Sequence, residues 1–151
     1  MPRPQKKRSV NFPPSWTSFK PVGIRSKELE TISLGLDEFE AIRLADYEGL
    51  DHAESAVLME ISRSTFSRLV ERARQKVAVF IIEGQRLQID GGEIHFQGNV
   101  IQCAVCAHQF AAPLNEQPTE CPACGSPSLI DLADRHGHGH CCHRHHRRNR
   151  R

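Results

Sequence analysis

Apolar positions recur at helical spacing in three successive runs of the first half of the chain. In LDEFEAIRLADYEG, Leu36, Phe39, Ile42 and Ala45 share a face that Ala41 and Leu44 widen. Asp37 with Glu40 three positions later resembles a capping box, and Gly49 marks a stop, so a helix of about three turns is expected. A second run opens at Asp51, with Glu54 three positions on, presents Ala53, Ala56 and Val57, and ends near Met59. Ser62 reads as the cap of a third helix. The link Met59-Glu60-Ile61 is so short that the two helices must cross steeply, which is the helix-turn-helix arrangement. In the third run Phe66, Leu69, Val70, Ala73, Val77, Phe80 and Ile81 form the stripe and Gly84 ends it. At about 1.5 Å per residue this helix is about 33 Å long. That exceeds the needs of a helix seated in a groove of DNA, so its C-terminal half is expected to pack or to form a homodimer.

After Gly84 the period falls to two. Leu87 and Ile89, then Ile94 and Phe96, flank Asp90-Gly91-Gly92, which predicts a β-hairpin. Residues 1–27 hold five prolines without a sustained period and read as an extended arm. The expected organisation is an extended basic arm (1–27), a helix-turn-helix domain with a hairpin (28–96), a zinc ribbon (97–134) and a His/Arg-rich disordered tail (135–151). The fold class is mainly α: a three-helix domain with a short hairpin, then a small β module, with disordered basic ends.

The net charge of +2 conceals an asymmetry. Every acidic residue lies between Glu28 and Asp134, whereas residues 1–27 carry seven Lys or Arg and residues 135–151 carry six Arg. Basic ends around a near-neutral middle suit either a polyanionic partner or plain solubilisation. The longest apolar run, VAVFII at 77–82, falls far short of the roughly 18 residues a membrane span requires, so no membrane association is expected. MPRPQKKRSV is followed by no apolar stretch, so no secretory signal is expected. The expected location is the cytoplasm, in association with the nucleoid, where paired cysteines more often hold metal than form disulfides.

Residues 103–124 read C-x2-C-x14-C-x2-C. Two such turns can each point two thiolates at one ion, and four thiolates at about 2.3 Å make a closed zinc tetrahedron. Cys103, Cys106, Cys121 and Cys124 are therefore the expected ligands of one structural zinc. A redox dithiol or an iron–sulfur cluster fits two matched knuckles less well, and His108 reads as a loop residue. The end of the chain adds His136, His138, His140, Cys141, Cys142, His143, His145 and His146, a composition that binds Ni, Cu or Zn without needing a fold. Catalytic constellations are missing: there is no Gly-rich phosphate loop, nucleophile elbow or HExxH. The sequence argues against an enzyme.

The stripe of the third helix leaves a polar face outward in SRSTFSRLVERAR. Arg63, Ser64, Thr65, Ser67 and Arg68 are candidates for base and phosphate contacts, and Arg72 for phosphate, as in a reading helix docked on double-stranded DNA. Thr65 is equally placed to face the turn. Solvated arginines on a core helix are the plain alternative. The pieces MPRPQKKRSV, FKPVG, LDEFEAIRLAD, EGLDHAESAVLMEISRSTFSRLVERARQKVA and IDGG resemble an uncharacterised prokaryotic family of predicted DNA-binding proteins, whose helix-turn-helix is similar to region four of bacterial sigma factors. Some of its members carry a C-terminal ribbon like CxxC…CPACG. The resemblance implies sequence-specific DNA binding and transcriptional regulation. Glu60 stands where the family usually has a turn glycine, so the turn calls for a strained backbone. Asn11 stands where many members have a cysteine, which puts in doubt a metal or redox role for that arm position. Two other readings remain open: a metal-handling protein using its tail, and an interaction module contacting RNA polymerase or another transcription protein. RNA fits less well, because no aromatic stacking platform is visible.

Overall fold

The computed structural model describes residues 7–137, and their contacts divide them into two compact units. One comprises the residues up to Val10 together with Trp16–Ile94, the other Asn11–Ser15 together with the residues from His95.

The N-terminal segment of the first unit is not only an arm. It forms strands β1 (Arg8–Val10) and β2 (Ser18–Phe19), and a 3-10 turn follows at Ser26–Glu28. The amide of Arg8 donates to Glu93 O (2.9 Å) and that of Ser9 to Met59 O (3.1 Å). Val10 is fully buried. Strand β3 (Thr31–Leu34) leads into helix α1 (Leu36–Ile42). The N-cap is Gly35 rather than the expected Asp37, and the N3 residue Glu38 reaches back to accept from Gly35 N (2.9 Å). Asp37 is instead engaged by Arg8. The helix widens into a π-type turn over Arg43–Tyr47, where Glu48 N donates to Arg43 O.

Helix α2 (His52–Leu58) has the expected reciprocal cap: Glu54 N donates to Asp51 Oδ1 (2.8 Å) and Asp51 N to Glu54 Oε2 (3.2 Å). Met59 caps its C-terminus and Ser62 opens α3 (Arg63–Glu83), accepting from Thr65 N (3.2 Å). Gly84 closes α3 in the left-handed conformation. Ala41, Leu44, Ala56, Met59, Phe66, Leu69 and Val70 form one core shared by α1, α2 and the first half of α3. The second half of α3 departs from the expected stripe, since Ile81 and Ile82 are 65% and 83% exposed.

Glu60 takes φ 56° in the turn between α2 and α3, a conformation that a side chain with a Cβ tolerates poorly. Glu60→Gly should therefore stabilise the protein by about 1 kcal/mol. Chemical denaturation would check this, and an unchanged or lower midpoint at constant m-value would show the turn to be unstrained.

The segment after α3 is not a hairpin. Strand β4 (Arg86–Ile89) lies between β2, antiparallel, and β3, parallel, with Leu34 opposite Ile89. The Asp90-Gly91-Gly92 bend faces the β3–α1 junction: Asp90 N donates to Leu34 O and Leu36 N to Gly91 O (both 3.0 Å). These bonds fix its direction, and β5 (Ile94–Phe96) does not pair with β4.

The second unit is built on an antiparallel sheet of β6 (Asn99–Cys103), β7 (Gln109–Ala112) and β8 (Leu129–Asp131) in the order β7-β6-β8, closed by α4 (Leu132–Arg135). Buried Asn99 knits it together, donating to Asp131 Oδ1 (2.7 Å) and accepting from Ala133 N (3.0 Å). With sheets in both units, eight strands and four α-helices among the described residues make the fold mixed rather than mainly α. No described helix is long and apolar enough to cross a membrane.

Candidate functional site

The four cysteines occupy two turns of matching construction. In the first, Ala107 N donates to Cys103 O (3.1 Å) and Cys103 N to His108 O (2.9 Å). In the second, Gly125 N donates to Cys121 O (2.8 Å) and Cys121 N to Ser126 O (2.9 Å). Ala107 and Gly125 occupy the equivalent place with φ 61° and 73°. Amide hydrogens also point at the sulfurs: Val105 N and Cys106 N lie 3.4 and 3.5 Å from Cys103 Sγ, and Ala123 N lies 3.4 Å from Cys121 Sγ. Such bonds favour thiolate over thiol.

All four sulfurs lie within 4.8 Å of one another, so the residues can hold a metal ion. Cys103 Sγ–Cys124 Sγ and Cys106 Sγ–Cys121 Sγ are each 3.6 Å. A tetrahedron with metal–sulfur bonds of about 2.3 Å has edges of about 3.8 Å, which the spacing matches. The Cys106 amide, with burial opposing it and the Val105 amide and neighbouring sulfurs helping, holds the Cys103 thiol down at about 6. The Ser126 amide pulls on Cys124, but burial and the other three sulfurs outweigh it and push that thiol up to about 12. One thiolate is thus favoured before metal arrives, and a cation is needed to bring the set to full ionisation. Exposed His108 stacks on Phe110, with ring centroids 6.0 Å apart, and is not part of the cluster. Of the tail residues singled out from the sequence, His136 packs its ring near Phe96. His138, His140, Cys141, Cys142, His143, His145 and His146 lie outside the described residues.

The outward face of α3 is less uniform than its sequence suggested. Arg63, Ser64 and Arg68 are exposed. Thr65 faces the turn, its Oγ1 lying 2.7 Å from Ser62 Oγ. Ser67 is held internally, donating to Arg63 O (3.0 Å) and lying 2.8 Å from His52 Nδ1. Arg72 pairs with Glu38 (3.2 Å), which also accepts from Lys76 (2.8 Å). Arg74 makes a two-pronged pair with Asp46, whose carboxyl it holds below the usual range. Thr65, Arg68 and Arg72 share a cleft with Arg8, a residue that sequence reading left in the arm. Its only signal was the basic run before an apolar pair of strand-like spacing.

These features define a class of protein with one unit built around two tightly joined helices and another that carries a cluster of four cysteines able to hold a metal ion. The chain belongs to the family described as "Protein of unknown function DUF134", whose model matches residues 1–97. It is similar to a "UPF0251 protein" of Chloroherpeton thalassium, 49% identical over 132 residues that span 87% of each chain. A "UPF0251 protein" of Moorella thermoacetica is 40% identical over 145 residues, 96% of this chain and 95% of the relative. Another from Pelotomaculum thermopropionicum is 43% identical over 126 residues, 83% and 95% of the two chains. No solved structure shows significant similarity to the chain.

Proposed function

We propose that this protein binds double-stranded DNA through the first turns of α3 and regulates transcription, with its four-cysteine centre holding one structural zinc. The observation that carries the reading is the Met59–Ser62 turn. It joins two helices through a left-handed Glu60, buries Met59, Phe66 and Leu69 together, and leaves Arg63, Ser64 and Arg68 exposed on the outer face. In a helix-turn-helix, that face contacts base edges and phosphates. Zinc is the metal best suited to four thiolates in a tetrahedron, and such a set leaves no open position for substrate, so the centre would stabilise the fold.

Selection from a random-sequence duplex library tests the reading. The full chain should enrich one recurring site and bind it at least about 1,000-fold more tightly than unrelated duplex. Uniform affinity across sequences, or no retention at all, would remove the regulatory assignment.

A further inference from the structure

The cleft that Arg8 shares with α3 has a volume of about 310 Å³, and its lining residues are Arg8, Thr65, Arg68 and Arg72. Thr65, Arg68 and Arg72 follow one another at spacings of three and four and so form a single stripe along the helix. Arg8 stands across from them on β1, which is tied down by amide bonds to Glu93 O and Met59 O. It therefore belongs to a fixed wall rather than to a loose arm.

Carboxylates behind the cleft set the arginines without cancelling them. Asp37 engages Arg8, whose side chain is 17% exposed. Glu38, itself fixed by Gly35 N, takes both Arg72 and Lys76. Three cations, Arg8, Arg72 and Lys76, thus meet two carboxylates, and with Arg68 added the cluster keeps two positive charges in surplus. Arg68 has no hydrogen-bond or ion-pair partner among the described residues. A guanidinium carries five N–H donors, so Arg8 and Arg72 retain donors after their carboxylate bonds are made. Three arginines and Thr65 line the cavity with no acidic residue among them, and the guanidinium donors suit phosphate oxygens.

We propose that this cleft grips one backbone phosphodiester of the DNA lying along α3. Arg8 and Arg72 are its two fixed walls, Arg68 closes it, and Asp37 and Glu38 serve as positioning residues. The inference rests on the DNA-binding reading above and adds to it a contact from outside the helix pair, which fixes the register of α3 on the duplex. Exposed Ser64 lies one helical turn before exposed Arg68 on α3, and this continuation of the face favours a phosphate of a polymer over a free anion.

The test is a salt titration of full-length protein on duplex DNA between about 50 and 200 mM salt. Arg8→Gln should lower the salt slope by about one unit and weaken binding roughly ten-fold for every sequence alike. Arg8→Lys should keep the slope. If Arg8→Gln fails to fold through its orphaned Asp37, the double variant Arg8→Gln/Asp37→Asn carries the same readout. A wild-type slope for the folded Arg8 variant, with duplex still bound, would overturn the clamp and leave the DNA reading standing. A wild-type protein that ignores duplex would overturn both. Inorganic phosphate at constant ionic strength is the last arm: saturable binding lost in Arg8→Gln, without any duplex binding, would make the cleft a small-anion site and end the DNA assignment.

Discussion

Cys121→Ser, or stripping the metal with a chelator, should abolish the ordered structure of β6, β7 and β8 while sparing the helical signal of α1–α3. Among the described residues of the second unit the large apolar side chains that are buried are few, namely Phe96, Ile101 and Leu132. A segment of about 40 residues with so small a core rarely folds on burial alone. Four thiolates on one zinc contribute apparent free energies on the order of 10–16 kcal/mol in comparable small modules, far more than those side chains supply. Cys103 and Cys121 are themselves core residues, 1% and 2% exposed, so an ion held by them would also anchor the centre of the packing. The α1–α3 core shares none of these residues. Hydrogen exchange separates the outcomes: amides of β6–β8 should lose protection and those of α2 and α3 should keep it. Retained protection across β6 and β7 in Cys121→Ser would show that the sheet stands without metal.

What the sequence made legible was what is local. Asp51 with Glu54, Ser62 and Gly84 act as caps over three or four residues, so the limits of α2 and α3 could be read directly. The spacing of the cysteines likewise sufficed to bring four sulfurs together, because each pair lies in one short turn. Strand pairing was not legible. A period of two marks β4 as a strand but names no partner, and its partners β2 and β3 lie far back in the chain. The same distance hid the roles of Arg8 and Val10, since a basic run looks like a solvated arm until a strand is seen beside it. Capping at α1 was misplaced because Gly35 has no side chain to announce it, and Asp37, the better-looking cap, is engaged by Arg8. The partners of Ser67 were hidden for a related reason. Periodicity places it off the apolar stripe, but it cannot show that a histidine on the preceding helix meets its hydroxyl.

The two faces of α3 should fail in opposite ways, and that contrast is the sharpest check on the whole reading. Leu69 is fully buried in the core that joins α1, α2 and α3. Leu69→Ala should cost about 2–5 kcal/mol of stability through the cavity it leaves. Arg68, one residue earlier, is exposed, and Arg68→Ala should change stability by no more than about 0.5 kcal/mol. Its effect should fall on binding, with a loss of about 1–3 kcal/mol for the selected site if it touches a base and a uniform loss across sequences if it touches phosphate. The serines divide in the same manner. Ser64 is exposed, and its hydroxyl lies 3.2 Å from the capping hydroxyl of Ser62, so Ser64→Ala should act on DNA affinity. Ser67→Ala should instead release His52 and lower stability by about 1 kcal/mol, the worth of one partly buried hydrogen bond. Thermal melts and duplex titrations on the four variants measure both axes. Unchanged affinity for the selected site in Arg68→Ala and Ser64→Ala together would reduce α3 to a core helix with solvated arginines.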